Sequence, residues 1–287
     1  MRGGAQGRQA VLLLAVLVVV TGLGVVAYAT TVFNGLELST INQRFSVRGP
    51  QEPPDDLVVV QIDDVTFDET GLQWPFPRSV HAEVIDRISA DAPKSITYDV
   101  QFSERSAPKL LQLAPQTARV LGLSRRQARR SLKEIGNADD IALAEAILNS
   151  DRKMVLSFTE TNAKGQVNFL DGGPEFLREV EGRPGNGLYR TDRGGVIRRV
   201  VYDLSRLKSL PVASVEVATA KPVDRGRFPE NGAWIDYYGG PGTLRTVSFS
   251  DVVQNKLPKG FFRNKLVVVG PSAPVLQDVH PTSTTAG

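Results

Sequence analysis

The hydrophobic pattern divides the chain into two unequal parts. From Gln9 to Leu36 there is no acidic, basic or histidine side chain, and Ala10 to Ala29 is dominated by Val, Leu and Ala. About 20 such residues suffice to cross a bilayer core, so residues 10–33 are expected to form a transmembrane signal anchor. Arg2 and Arg8 precede this run and Glu37 is the first charge after it. The positive-inside tendency then places residues 1–9 in the cytoplasm and the bulk outside, as a single-pass protein of the inner or plasma membrane. A cleavable signal peptide is the alternative, because Ala27-Tyr28-Ala29 has the small-x-small form of a cleavage site. Either reading exports the remainder.

After a polar connector at 34–56 ending in Pro53-Pro54, the pattern alternates between strand-like and helix-like periods. Leu57 to Ile62 reads as a strand, Pro77 to Ser89 as a helix with Val80, Val84, Ile85 and Ile88 on one face, and Ser95 to Val100 as a second strand. A capped helix through Leu148 and a strand at Met154 to Phe158 follow. Gly165 to Gly187 reads as loop, and Leu188 to Tyr202 as a hairpin turning at Arg193-Gly194-Gly195. A helix over Val212 to Ala220, a strand at Trp234 to Tyr238, a short helix near Ser250 to Lys256 and a strand at Leu266 to Gly270 complete the order. Strands alternating with helices predict an α/β fold: a mainly parallel sheet with helices on both faces and one antiparallel edge hairpin. Residues 57–287 form the exported domain, with an insertion at about 107–136 whose helix carries Arg125, Arg126, Arg129, Arg130 and Lys133. That charge run suits either a solvated helix face or anionic lipid headgroups.

Composition removes several functions. Arg2 and Arg8 account for two of the 34 basic residues, leaving 32 against 31 acidic residues beyond the anchor, a balance that implies no nucleic-acid partner. Cysteine is absent and only His81 and His280 are present, which excludes disulfides, thiol nucleophiles and histidine-rich zinc sites. Any metal would be an oxygen-liganded Mg²⁺ or Ca²⁺, and no cofactor is expected.

In parallel sheets ligands gather outside the carboxyl ends of the strands, where Asp63, Asp64, Asp99 and the Gly270 to Asp278 loop fall. The three aspartates suit an acidic pocket for a cation or cationic ligand, or the capping of helices and turns. Trp74 and Arg78 straddle a Pro-rich turn. They can hold an anionic or ring-containing ligand, or lock the turn through a pair between Arg78 and Asp63 or Asp64. His81 reads as a hydrogen-bonded, partly buried residue with no nucleophile to activate. Asp192, Arg198 and Arg199 suit cross-strand ion pairs.

The succession of Val60 to Asp64, Trp74-Pro75-Phe76-Pro77-Arg78, His81 and Tyr98-Asp99-Val100-Gln101-Phe102 resembles the second class of CHASE domains, the cyclase/histidine-kinase-associated sensory extracellular domains. Asp139 to Ile147, Asp192 to Arg199 and Lys265 to Gly270 with Asp278 and Pro281-Thr282 agree with it, so the likeness covers roughly Gln43 to Gly287. It implies an exported sensory region, homodimeric, whose receptor carries an adenylate or guanylate cyclase, a histidine kinase or a protein kinase on its cytoplasmic side. It also leads us to expect a receptor truncated before its return spans and output module.

The leading expectation is a ligand-binding sensor rather than an enzyme, recognising a small molecule or ion through Asp63, Asp64, Trp74, Arg78, Asp99 and Asp278 at the strand ends. The competing expectations are an exported Mg²⁺- or Ca²⁺-dependent hydrolase using the aspartates, with Asp63, Asp64 and Asp99 as metal ligands, and a ligand-free dimerisation domain.

Overall fold

The computed structural model describes residues 3–29, 34–104, 138–192, 194–276 and 280–285. The insertion at about 107–136 and Asp278 lie outside the described residues.

Two helices open the chain, α1 (Gly3–Ala29) and α2 (Asn34–Arg48). Among the described residues no helix is long and apolar enough to cross a membrane.

Six parallel strands form the body: β1 (Leu57–Ile62), β2 (Ser95–Tyr98), β3 (Met154–Phe158), β4 (Arg183–Asn186), β9 (Thr246–Ser248) and β10 (Leu266–Pro271). Their order is β4-β3-β2-β10-β1-β9, so the last strand inserts between the first two. Register pairs Val60 with Val269 and Val269 with Tyr98. This brings the ends of β1, β10 and β2, and the residues just past them, to one edge of the sheet.

The connections explain which faces are covered. Right-handed crossovers put α3 (Asp64–Thr70), α4 (Arg78–Ala90), α5 (Ala138–Leu148), α6 (Gly173–Glu179) and α8 (Phe249–Val253) on one face. The return from β4 to the far edge runs the other way, so α7 (Leu210–Thr219) packs on the opposite face against β2, β3 and β4. The burial of the strands records this. β1 alternates, with Val58, Val60 and Ile62 in the main core and Leu57, Val59 and Gln61 half-buried. β2 and β3 are buried at every position, because Val155 meets Leu210 and Ala213 of α7 on the second face. The Thr97 hydroxyl donates to Ser214 Oγ of α7 at 2.6 Å.

The expected edge hairpin at Leu188 to Tyr202 does not form. A local turn is present, with the Asp192 N–H bonded to the Val196 carbonyl at 2.9 Å, but its flanks do not pair. Instead β5 (Arg199–Val200) pairs antiparallel with β8 (Ala233–Trp234) in a separate two-stranded ribbon. The expected strand at Trp234 to Tyr238 is thus outside the main sheet. The antiparallel hairpin that does flank β4 is β6 (Asp203–Leu204) with β7 (Leu207–Lys208), held there by the Asn186 amide donating to the Leu204 carbonyl at 3.1 Å. The physical reason is strand length: two-residue ladders satisfy only a few backbone groups, and side-chain bonds take over the rest.

Candidate ligand-binding cleft

Beyond the strand ends lies a cleft of about 1070 Å³. Trp74 and Pro75 enter it from the turn before α4. Asp99, Val100 and Gln101 come from the segment after β2, Ser157 and Thr159 from the end of β3, and Gly187, Leu188 and Tyr189 from the segment after β4. Ile235 and Tyr237, just past β8, close the far side. The Thr159 hydroxyl donates to Gln101 Oε1 at 3.0 Å, tying two of these strand ends together.

Asp99 is half-buried, and its N–H is bonded to the Val269 carbonyl at 2.7 Å. Among the described residues it is the carboxylate lining the cleft, His280 adds an imidazole, and no Lys or Arg is present. The other described walls are aromatic, hydroxylic, amide and aliphatic. Gly187 is fixed by this crowding, since a Cβ there would stand 2.1 Å from Ser157 Oγ. Tyr237 donates its hydroxyl to the Ile197 carbonyl at 2.8 Å, and burial pushes its phenol above the ordinary range, with Arg198 nearby opposing more weakly. The described walls therefore present a carboxylate, hydrogen-bonding groups and flat apolar surface, a combination suited to a neutral or cationic molecule with a ring.

Trp74 and Asp99 both line the cleft, whereas Asp63, Asp64 and Arg78 do not, and Asp278 lies outside the described residues. Asp63 caps α3: the Thr66 N–H donates to its Oδ1 at 2.8 Å, and the Ser248 hydroxyl donates to the same oxygen at 2.7 Å. Because Ser248 itself caps α8, Asp63 joins two helix starts and faces away from any ligand. Asp64 is exposed in the first turn of α3. Arg78 pairs with Asp140 of α5, not with Asp63 or Asp64, and also donates to the Glu104 carbonyl. Both side chains of the Arg78–Asp140 pair are largely buried. Among the described residues no group of three His, Asp or Glu side chains is placed to hold a metal ion, so Asp63, Asp64 and Asp99 do not form a shared site.

Beneath Trp74 lies His81, 1% exposed, with Nδ1 2.8 Å from the Tyr98 hydroxyl. Burial, assisted by the Arg78 charge, lowers its pKa to about 3, while burial raises that of Tyr98. Both are neutral at physiological pH, which fixes them as a polar pair inside an aromatic cluster. Ser157, Gly187, Tyr189 and Tyr237 are lining residues that sequence reasoning missed. The signal for Ser157 and Thr159 was available, since both stand at the end of a strand read from the sequence; Gly187 lies in a stretch read as loop, and Tyr189 and Tyr237 in a hairpin and a strand that do not form as expected.

A family model described as CHASE2 domain matches residues 12–286. No curated protein and no solved structure matches the chain.

Proposed function

The chain belongs to the CHASE2 domain family, whose members are sensory domains of the extracellular type, and from that premise we propose that it is the ligand-binding region of a membrane receptor, with the strand-end cleft as its site. The observation that carries this reading is the cleft itself: about 1070 Å³ outside the carboxyl ends of the strands, with Asp99 facing Trp74, Tyr189 and Tyr237. That is where parallel sheets bind small molecules. On this reading the chain binds and does not catalyse, and the proteins it would control are cyclases or kinases acting as pairs.

We further propose that α1 is the membrane anchor. It is a continuous helix of 27 residues, and its large side chains from Val11 to Val26 are 57–71% exposed on all sides. A helix apolar all round needs a buried or lipid environment. The cleft and α2 meet through one segment. Ile235 and Tyr237 line the cleft, while between them Asp236 pairs with Arg48 of α2 at 2.5 Å, and Phe45 packs edge-on against Tyr237 with centroids 5.9 Å apart. A ligand that moves this segment moves the helix next to the membrane, provided it binds the two positions with different affinity.

Thermal melting of the full chain in detergent, against a panel of neutral and cationic ring compounds, tests the site. A ligand that raises the wild-type midpoint should bind Asp99→Asn and Trp74→Ala at least about tenfold more weakly, the equivalent of ~1.4 kcal/mol. Asp63→Ala should keep the response. Undiminished binding by the two cleft variants contradicts the assignment.

A further inference from the structure

Beside the Trp234–Tyr237 segment lies a second cavity of about 350 Å³, between α2 and the ribbon of β5 and β8. Three arginines line it, Arg44 and Arg48 from α2 and Arg198 from the segment before β5, together with Ser283 of the C-terminal segment. Arg198 is 4% exposed. Its Nε donates to Asn42 Oδ1 at 3.2 Å, yet among the described residues its buried Nη1 has no hydrogen bond, and neither does the buried Ser283 hydroxyl. Groups of this kind are costly to leave unsatisfied, and here two of them border one cavity.

The charge balance gives the sign of the missing partner. Asp236 is the carboxylate lining the cavity, and Arg48 already engages it. Asp192 Oδ2 stands 4.0 Å from Arg198 Nη1, balancing its charge but beyond hydrogen bonding, so that this buried oxygen also lacks a hydrogen bond among the described residues. Arg44 is exposed on α2 and makes no ion pair among the described residues. Among the described residues the cavity therefore keeps one guanidinium without an ion pair, Arg44, beside a buried one, Arg198, whose Nη1 lacks a hydrogen-bond acceptor. Guanidinium groups and a hydroxyl around a small cavity match the geometry of a tetrahedral oxyanion.

We propose that this cavity binds a phosphate group, held by Arg198, Arg44 and Ser283, and that its occupancy fastens α2 to the domain. The reading stands apart from the ligand assigned to the strand-end cleft, since Ile235 is the one described residue that lines both cavities. The phosphate can belong to a free anion or to a lipid headgroup, because α2 follows α1 directly in the chain.

Calorimetric titration of the full chain in detergent with inorganic phosphate, at constant ionic strength, is one arm of the test. The second compares melting midpoints in nanodiscs of phosphatidylglycerol and of phosphatidylcholine. Because Arg198 is buried, Arg44→Gln and Ser283→Ala carry the comparison, with Arg152→Gln, an exposed arginine elsewhere paired to Glu181, as the control. Expected is saturable phosphate binding, or a higher midpoint in the anionic discs, that Arg44→Gln weakens at least about tenfold while Arg152→Gln leaves it unchanged. Binding of inorganic phosphate with equal midpoints in both discs assigns a free anion; a disc effect without phosphate binding assigns the headgroup. Neither response in the wild type, or equal weakening by Arg44→Gln and Arg152→Gln, overturns the proposal.

Discussion

His81 is surrounded by five aromatic rings, those of Trp74, Phe76, Tyr98, Phe102 and Phe249, with centroids 5.3–6.2 Å away. With a pKa of about 3 in the folded chain and ~6.5 when unfolded, it takes up a proton on unfolding at any pH between the two. Stability is then full above about pH 6.5 and falls by ~1.4 kcal/mol per unit as the pH drops toward 3. Urea midpoints at pH 7.5 and 5.0 should show a loss of about 2 kcal/mol in the wild type and much less in His81→Gln; equal losses would contradict the buried neutral imidazole. At Arg78 the partner decides the outcome. Arg78→Met takes the guanidinium from the buried Asp140 carboxylate and should cost about 3–5 kcal/mol, while Arg78→Met with Asp140→Leu should recover most of it, read by denaturant melting. The buried, hydrogen-bonded reading of His81 holds, and capping was among the readings for Asp63, but for Arg78 the sequence suggested an ion pair with the wrong partner. Asp63 precedes α3 and Arg78 opens α4, and whether such a side chain caps, pairs or points at a ligand depends on Ser248 and Asp140, 185 and 62 residues away.

At the scale of elements, legibility followed side-chain content. β1 and β3 were read with the same bounds as observed and β10 nearly so, since their Val, Leu and Ile runs declare buried strands. β4, Arg183-Pro-Gly-Asn, carries no such run and was read as loop. It is a strand because β3 offers it backbone partners at a sheet edge, where proline is tolerated. The Gly-rich reading of that stretch was right in composition and wrong in structure, and it hid Gly187 and the cleft wall after it. Gly187→Ala, pressed against Ser157 Oγ, should lower stability by about 1–3 kcal/mol by overpacking and should distort the cleft. The docking of α2 is a lighter attachment. The Arg48–Asp236 pair is 35% and 75% exposed, so Arg48→Ala should change global stability by less than about 1 kcal/mol. Hydrogen exchange should nevertheless quicken at residues 40–48 and stay unchanged in β1 to β3; unchanged exchange in α2 would show that this contact does not hold the helix.

Across the whole molecule, a six-stranded parallel sheet fixes a cleft on one edge and leaves α2 against the segment that closes it. The fold class and family were legible because the order of apolar runs and of Trp74 to Arg78, His81 and Tyr98 to Phe102 survives in a single sequence. The cleft was not, because its walls come from loops that only the β4-β3-β2-β10 arrangement brings together. The account as a whole requires that this cleft open on the outer side of the membrane. The chain has no cysteine, so one introduced at Leu188, 44% exposed at the cleft rim, reports its surroundings without background. A membrane-impermeant maleimide applied to intact cells should label Leu188→Cys fully, with no further labelling after permeabilisation; labelling that appears only after permeabilisation would contradict the receptor account.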